Sequence, residues 1–217
     1  KIREIFLNRI IQAKGLTKAA ELIDGILMPT PSAVMKATRL LAQGCEGESG
    51  IGDLICVDVG GATTDIYSMA DGMPETMNTV YKGLPEPFAK RTVEGDIGMR
   101  YSIHGIVEAA GLTRISQMSG ISEDRVQQLV DHLRAHTDQV PNGDPELEAL
   151  DHALASCAIE EAVARHAGTI EETYTMMGQV FVQEGKNLTK VRQIVVTGGS
   201  LIHTKRTEQI AAHALYS

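Results

Sequence analysis

Aromatic residues are scarce in this 217-residue chain, which has no tryptophan and only 4% Phe, Trp and Tyr. Proteins that bind single-stranded nucleic acid stack the bases on aromatic side chains. Nonspecific binding to nucleic acid or to an anionic membrane needs a basic face, whereas the formal net charge here is −8. The composition therefore predicts neither a nucleic-acid partner nor a membrane partner.

Cysteines and long apolar runs are also few. Cys45, Cys56 and Cys157 are an odd number without C-x-x-C spacing, which favours a reducing cytosol over a disulfide framework or a zinc site. No apolar stretch approaches the ~20 residues of a membrane span, and the residues after Lys1 do not have the pattern of a signal peptide. We expect a cytoplasmic protein.

The most informative segment is LICVDVGGATTDIYS, residues 54–68. An apolar run predicts a buried strand, and the β-prone run after the glycine pair predicts a tight turn and a returning strand. Glycines allow a ligand to approach the backbone closely, and consecutive N–H groups form a nest for anionic oxygens. We interpret the turn as a phosphate site made of Gly60, Gly61, Ala62, Thr63 and Thr64.

Two acids flank this turn. Asp58, at the end of the first strand, is suited to hold a metal-bound water, because a carboxylate would repel phosphate directly. Asp65 follows the threonines and is a second candidate near the metal. The alternative interpretation is an ordinary hairpin with a Gly-Gly turn and a capping aspartate.

The rest of the chain predicts a mixture of strands and helices. Amphipathic helices are expected at residues 2–10 and 17–26, and an Ala-rich helix at residues 32–43 should end at Gly44. Residues 45–52 read as a loop. Residues 76–81 predict a third strand at the edge of the hairpin sheet.

From Phe88 the pattern is helical for about a hundred residues. Ser122 and Asp144 are candidate N-caps, the latter followed by Pro145 at the first helical position. The sequence TIEE at residues 169–172 matches a capping box and predicts one more helix. Residues 193–197 predict the last strand, and a helix should begin near His203.

Four segments carry a resemblance to a known family. DVGGATTD at residues 58–65 resembles the second phosphate-binding motif of the actin-like ATPase superfamily, which includes actin, sugar kinases and heat-shock chaperone ATPases. With LMPTPSAV at 27–34, TVEGDIGMR at 92–100 and IVVTGGS at 194–200, the chain more closely resembles the L component associated with adenosylcobalamin-dependent glutamate mutase. The resemblance covers nearly the whole chain, but only about the second half of a family member.

The resemblance implies an α/β fold of the actin-like, ribonuclease H-like class, in which two related domains clamp MgATP. Residues 1–31 would then be a helical segment from the preceding domain. Residues 32–217 would form the second ATPase domain with a helical insertion at about 105–190, and the first domain and the C-terminal end would be missing. The Ala-rich helix at 32–43 would cross between the domains.

The resemblance also implies roles for further residues. Gly198, Gly199 and Ser200 resemble the family's adenosine motif, although a Gly-Gly pair after a strand is by itself often only a turn. A Rossmann motif is excluded, because no G-x-G-x-x-G opens a helix here. Residues 94–100 are placed beside the nucleotide in related ATPases; alternatively they begin a helix whose dipole the acids complement.

Two pairs of residues at helical spacing are candidates of a weaker kind. Glu161 and Arg165 would reach the ribose or adenine, whereas such i, i+4 pairs usually brace a solvated helix face. His132 and His136 have a spacing that can bind a metal, but no third ligand is apparent and a solvated face is the simpler interpretation.

Three functions follow as expectations. The first is the ATP- and Mg²⁺-binding half of a chaperone-like reactivating ATPase that helps glutamate mutase exchange damaged adenosylcobalamin; without the other half, the isolated chain should not hydrolyse ATP. The second is a small-molecule kinase, since the same fold phosphorylates sugars. The third is an actin-like assembly ATPase.

Overall fold

The computed structural model describes residues 28–176 and 178–215. The helices predicted at 2–10 and 17–26 lie outside these residues. Strands are numbered β1–β9 and α-helices α1–α7 along the described chain.

A four-stranded mixed sheet in the order β6-β4-β3-β9 forms the centre of the molecule. Strands β3 (Leu54–Val59) and β4 (Thr64–Met69) make the predicted hairpin, which is confirmed. Strand β6 (Ala89–Glu94) pairs antiparallel with β4. Strand β9 (Gln193–Thr197) pairs parallel with β3, so both of these strands end at the same edge of the sheet.

Helices cover both faces of this sheet. Side chains alternate along a strand, so that Val57, Val59 and Ile66 join the larger core cluster with the helices that follow β6, whereas Cys56 and Tyr67 face the helix that precedes β3. The α-helices are α1 (Thr30–Gln43), α2 (Ile103–Ala110), α3 (Leu112–Ser119), α4 (Glu123–Ala135), α5 (Pro145–His166), α6 (Gly199–Ile202) and α7 (Thr207–Ala211).

Helix α5 is the central helix of the larger cluster. It starts as predicted: Asp144 is the N-cap, its carboxylate accepts hydrogen bonds from the N–H groups of Glu146 and Leu147, and Pro145 occupies the first turn. Twelve of its 22 residues are buried, and they lie on several sides of the helix, which is typical of a helix inside a core. Ser122 is the N-cap residue of α4, as predicted, although its side chain makes no capping hydrogen bond.

A second, three-stranded sheet in the order β5-β8-β7 lies beyond the C-terminal end of α5. It consists of β5 (Thr79–Lys82), β7 (Thr169–Thr175) and β8 (Gly178–Glu184). Strand β8 is antiparallel to β7 and parallel to β5. The described chain is therefore α/β, with two mixed sheets.

The observed strands correct three predictions. Residues 76–81 do contain a strand, but it pairs with β8 and not with the hairpin, whose outer neighbour is β6. The helical pattern predicted from Phe88 was wrong for β6 and again after His166, so the predicted helical insertion at about 105–190 is helical only in its earlier part. The capping box at 169–172 lies in β7 instead of a helix.

Two smaller predictions also need correction. The loop at 45–52 contains part of a short ladder between β1 (Gly44–Cys45) and β2 (Glu48–Ser49). The terminal helix begins at Gly199 and not near His203, and it is broken into α6, α7 and a 3-10 helix (Ala212–Leu215).

A buried polar cluster joins the second sheet to the first. The imidazole of His166 contacts the hydroxyls of Ser68 and Thr92, each at 2.8 Å. The ammonium of Lys186, whose residue is only 1% exposed, donates to the carbonyls of Ala70 at 2.7 Å and Phe88 at 2.8 Å. Burial lowers the pKa of Lys186 to about 8 and that of His166 to about 3. These bonds fix one end of the second sheet.

In the portion of the chain that the structure describes, no helix has the length and apolar character needed to cross a membrane.

Candidate nucleotide site

The turn between β3 and β4 is tight and is held from outside the hairpin. The N–H of Gly60 donates to the carbonyl of Thr63 at 2.9 Å. The carbonyls of Gly60 and Gly61 accept from the N–H groups of Met99 at 3.0 Å and Arg100 at 2.8 Å. A Cβ on Gly98 would overlap the backbone of Ala62. The segment after β6 therefore supports the turn directly.

A second glycine turn follows β9. Gly198 has φ of 101°, and a Cβ there would overlap the carbonyl of Val59 at the end of β3. Only glycine fits this combination of positive φ and close approach. A Cβ on Gly199, in contrast, would have nothing within 4 Å. The two turns thus meet at one edge of the sheet, the carboxyl ends of parallel strands where α/β proteins commonly bind ligands.

Both turns line one cavity of about 830 Å³. Gly61 contributes from the hairpin, and Gly199 and Ser200 contribute from the turn after β9. The remaining wall comes from the segment after β6, the loop before α5, the first turns of α5 and the loop after α6. Its residues include Met99, Arg100, Gln139, Asn142, Glu148, Asp151, His152, His203, Lys205 and Arg206.

The charge of this wall favours an anion. Asp151 is paired by Arg100, whose guanidinium donates to both carboxylate oxygens at 3.0 Å and 2.8 Å. The other charged residues of the lining are Lys205 and Arg206, which are basic, and Glu148, which is acidic. His152 Nδ1 is buried and has no hydrogen-bond partner among the described residues. Burial and then the charge of Arg206 lower the pKa of His152, which favours the neutral ring.

Asp58 and Asp65 lie on the opposite face of the sheet from the cavity. They are direct partners in the β3–β4 register, and their side chains project toward the α1 side while Val59 lines the cavity. Asp58 is half-buried, and burial and then the negative charge of Asp65 raise its pKa. Among described residues, no donor bonds to the Asp58 carboxylate.

Asp65 is instead occupied by neighbouring side chains. Its carboxylate accepts from Arg91 Nε at 2.7 Å and more weakly from the Thr63 hydroxyl at 3.4 Å. Arg91 also lies over the ring of Tyr67, 5.8 Å from the centroid. Asp65 therefore holds Arg91 and places a negative charge beside Asp58.

The two threonines of the turn differ in environment. Thr63 is half-buried, whereas Thr64 is fully buried on the α5 side, opposite Glu94 of β6. Within the described ranges, Thr64 Oγ1 has no hydrogen-bond partner. A buried hydroxyl without a partner costs free energy, and such groups in native proteins often mark a site that a ligand or water completes.

Glu161 and Arg165 are not brought to Gly198, Gly199 and Ser200. They lie near the C-terminal end of α5, about 14 Å and about 20 Å along the helix axis from His152 at the cavity. Arg165 pairs with Asp96 and Glu161, each at 2.8 Å, and with Glu94 at 3.1 Å. This ion-pair group braces the segment after β6, which in turn holds the hairpin.

The histidine pair at the C-terminal end of α4, where His136 is the C-cap residue, has the environment that was predicted for a solvated helix face. His132 and His136 are exposed and stacked with ring centroids 4.3 Å apart, and His132 Nε2 contacts Gln139 Oε1 at 2.7 Å. In the described part of the chain, no group of three or more His, Cys, Asp or Glu residues is arranged to hold a metal.

Sequence reasoning missed several cavity residues. Asp151 and His152 lie on a helix whose pattern indicated only core packing, so nothing local distinguished them. The loop after α6 had a signal, because the basic residues His203, Lys205 and Arg206 follow the Gly-Gly-Ser turn almost at once. Their proximity to a candidate ligand turn would have identified them.

Comparison with known proteins gives the family. The family model described as MutL protein matches residues 1–217. Protein MutL of Clostridium tetanomorphum is 46% identical to this chain over 210 residues, which are 97% of the chain and 45% of the relative. The chain belongs to the MutL protein family.

The glycine turns therefore occur in a MutL-family chain that spans a little under half the length of the curated relative it matches. The resemblance to the glutamate mutase L component, first indicated by four short segments, agrees with this membership over the whole chain.

Proposed function

We propose that this MutL-family chain is the ATP-binding second half of an actin-like ATPase. In this proposal the intact protein is a chaperone-like reactivating component of adenosylcobalamin-dependent glutamate mutase. The observation that carries the nucleotide proposal is the meeting of two glycine turns, after β3 and after β9, at one wall of a cavity of about 830 Å³. That volume is within the usual range for small-molecule sites.

The residues present suit a nucleotide. Gly199 leaves open space beside its backbone, as a flat base or ribose lying against the chain requires. Among the described residues of the cavity lining, His152 Nδ1 is a buried polar atom without a hydrogen-bond partner. With Asp151 neutralised by Arg100, the cavity lining leaves Lys205 and Arg206 against Glu148, and this excess of positive charge favours anionic phosphates.

Each part of the site then has a role. The backbone of residues 60–64 would hold the phosphate oxygens, and Gly198, Gly199 and Ser200 would support the adenosine. Asp58 would hold a water of the Mg²⁺ hydration shell, since Mg²⁺ keeps several waters and takes one or two carboxylates. Asp65, whose carboxylate is paired with Arg91, would not contact the Mg²⁺ directly and would act by raising the pKa of Asp58.

The other half of the clamp would lie on the α1 side, toward which Asp58 faces. The outer surface of α1 exposes small and apolar side chains at helical spacing, namely Ala33, Ala37, Leu40 and Leu41. The chain also matches only 45% of its relative's length. Closure of two domains around a nucleotide shifts a hinge equilibrium because the ligand contacts both sides.

Calorimetric titration of the chain with MgATP tests the site. We expect Gly199→Val to weaken binding at least tenfold, because its side chain fills the open space, whereas Gly95→Val should not. Gly95 is a matched control, since a Cβ there also meets nothing within 4 Å and the residue does not line the cavity. Equal affinities for the two variants would contradict the proposed site.

The mutase proposal needs the longer protein. MgATP turnover should rise when glutamate mutase carrying inactivated cobalamin is added, and it should be lost in Asp58→Ala. If the mutase does not change MgATP turnover, the proposed nucleotide site is retained, and the kinase or assembly function is favoured over the reactivating function.

A further inference from the structure

Strand β7 forms an open edge of the second sheet. It pairs with β8 at all seven of its positions, from Thr169 to Thr175. Within residues 28–176 and 178–215, no strand pairs with its other side, and all seven residues are exposed. An edge of this kind presents a row of backbone N–H and C=O groups to any extended chain.

The faces of β7 are not covered by the described residues either. Sheets normally bury at least one face against another layer. Here Ile170 and Tyr174, 53% and 76% exposed, lie on the same face with Glu172 between them, while Glu171 projects from the opposite face. A strand with exposed apolar and acidic side chains can pair with a strand that carries apolar and basic side chains at the facing positions.

The free end of the sheet is apolar. Met176 follows β7 at its end, and Met77 precedes β5 on the other side of β8. Both side chains are fully exposed. Methionine is adaptable and is common at surfaces that bind peptides.

The opposite end of the sheet is held firmly. The Gln183 amide donates to the carbonyls of Gly72 at 2.7 Å and Gly185 at 2.9 Å, and the buried Lys186 ties the end of β8 to the β4–β6 side. The edge is therefore preformed, which lowers the cost of ordering when a partner binds.

We propose that the outer edge of β7 binds an extended, basic segment of a partner protein by strand addition. The segment would carry two adjacent Lys or Arg residues flanked by apolar residues, because Glu171 and Glu172 are adjacent in β7 and project from opposite faces. Backbone pairing supplies affinity in this mode, and alternate side chains supply specificity. Basic residues opposite Glu171 and Glu172 would form cross-strand pairs of opposite charge. The proposal does not depend on nucleotide binding.

A second copy of the chain is a poorer occupant of this edge. Antiparallel pairing of β7 with itself about its middle would place Glu172 directly opposite Glu172. Like charges directly opposite each other destabilise a strand pair.

The test uses fluorescence anisotropy with three labelled nine-residue peptides. One carries two adjacent lysines flanked by valines, one carries two adjacent glutamates in the same places, and the third is the lysine peptide with alternate backbone nitrogens methylated. We expect the chain to bind only the first. The variant Glu171→Gln/Glu172→Gln should weaken that binding roughly twofold to thirtyfold, from the loss of two cross-strand charge pairs.

The control variant is Glu46→Gln/Glu48→Gln, which removes two exposed glutamates at the β1–β2 ladder and should leave binding unchanged. Circular dichroism checks that both variants are folded. Failure of the lysine peptide to bind overturns the proposal, and so does equal binding of the methylated peptide, which would show charge attraction without strand pairing. A dimer in sedimentation that the Glu171→Gln/Glu172→Gln variant strengthens would assign the edge to a second copy and also overturn it.

Discussion

Arg100 and Asp151 form a bidentate ion pair that ties the segment after β6 to the first half of α5, in the wall of the cavity. Their side chains are only 10% and 15% exposed. The guanidinium also donates to the carbonyls of Met99 and Gln139. One side chain thus fixes the positions of three parts of the wall.

Arg100→Ala should lower the free energy of unfolding by about 3–5 kcal/mol, because it leaves the Asp151 carboxylate buried without a partner. Urea denaturation measures this loss. The double variant Arg100→Met/Asp151→Leu should recover much of it, since it removes both charges. A single-variant loss below about 1 kcal/mol would mean that water already screens this pair.

Adjacent glycines in the turn after β9 should respond differently to the same substitution. Gly198→Ala should destabilise the fold by about 1–3 kcal/mol or more, because it adds a Cβ at positive φ against the Val59 carbonyl. Gly199→Ala should be close to neutral in stability, since its Cβ meets open space. Thermal unfolding of the two variants is the measurement, and similar losses would contradict the geometry described for this turn.

His166 should make stability fall with acidification. In the unfolded chain a histidine has a pKa near 6.5, whereas burial lowers the pKa of His166 in the fold to about 3. Below pH 6.5 the unfolded state therefore binds more protons, and this residue removes about 1.4 kcal/mol of stability per pH unit, approaching 2 kcal/mol at pH 5.

The variant His166→Gln gives the comparison, because an amide can bond to Ser68 and Thr92 without titrating. Wild type and variant are unfolded by urea at pH 7 and pH 5. The wild type should lose more stability than the variant between these values. Parallel losses would show that the histidine is protonated in the folded protein.

Asp58 should be dispensable for folding, in contrast to its proposed part in hydrolysis. Burial and the charge of Asp65 raise its pKa, so its ionised form is less favourable in the folded state than in the unfolded state. Asp58→Asn should be at least as stable as wild type at pH 7. Its advantage should shrink as the pH falls toward the ordinary aspartate pKa near 3.9, where wild type becomes protonated and neutral. A variant less stable than wild type at pH 7 would contradict this.

Sequence patterns predicted the parts of the candidate site that depend on local chemistry. The apolar run before Asp58, the Gly60–Gly61 turn and the Gly198–Gly199 turn each carry their signal within a few residues. Asp144 and Pro145 likewise specify the start of α5 locally. The α/β class and the hairpin followed from such segments.

The strands that were predicted as helix had ambiguous local signals. Residues 169–172 fit a capping box, and this signal outweighed the threonines and Tyr174 that favour a strand. In strand β6, the charged residues Lys90 and Arg91 obscure the alternation of apolar and polar residues that indicates a strand. Lys90 donates to the carbonyl of His166 and Arg91 to the carboxylate of Asp65, and both partners are distant in the sequence. These contacts are tertiary, and no local pattern contains them.

The parallel pairing of β3 with β9 also constrains the order in which the protein folds. Leu54 pairs with Gln193, so the sheet joins an early segment to one near the end of the chain. During synthesis the β3–β4 hairpin leaves the ribosome long before its neighbour, and contacts between such distant segments form slowly. Until β9 has been synthesised, the edge of β3 that pairs with it stays unpaired, and the apolar residues of β3 are less well covered. We therefore expect a nascent chain that is truncated before residue 193 to depend on chaperones.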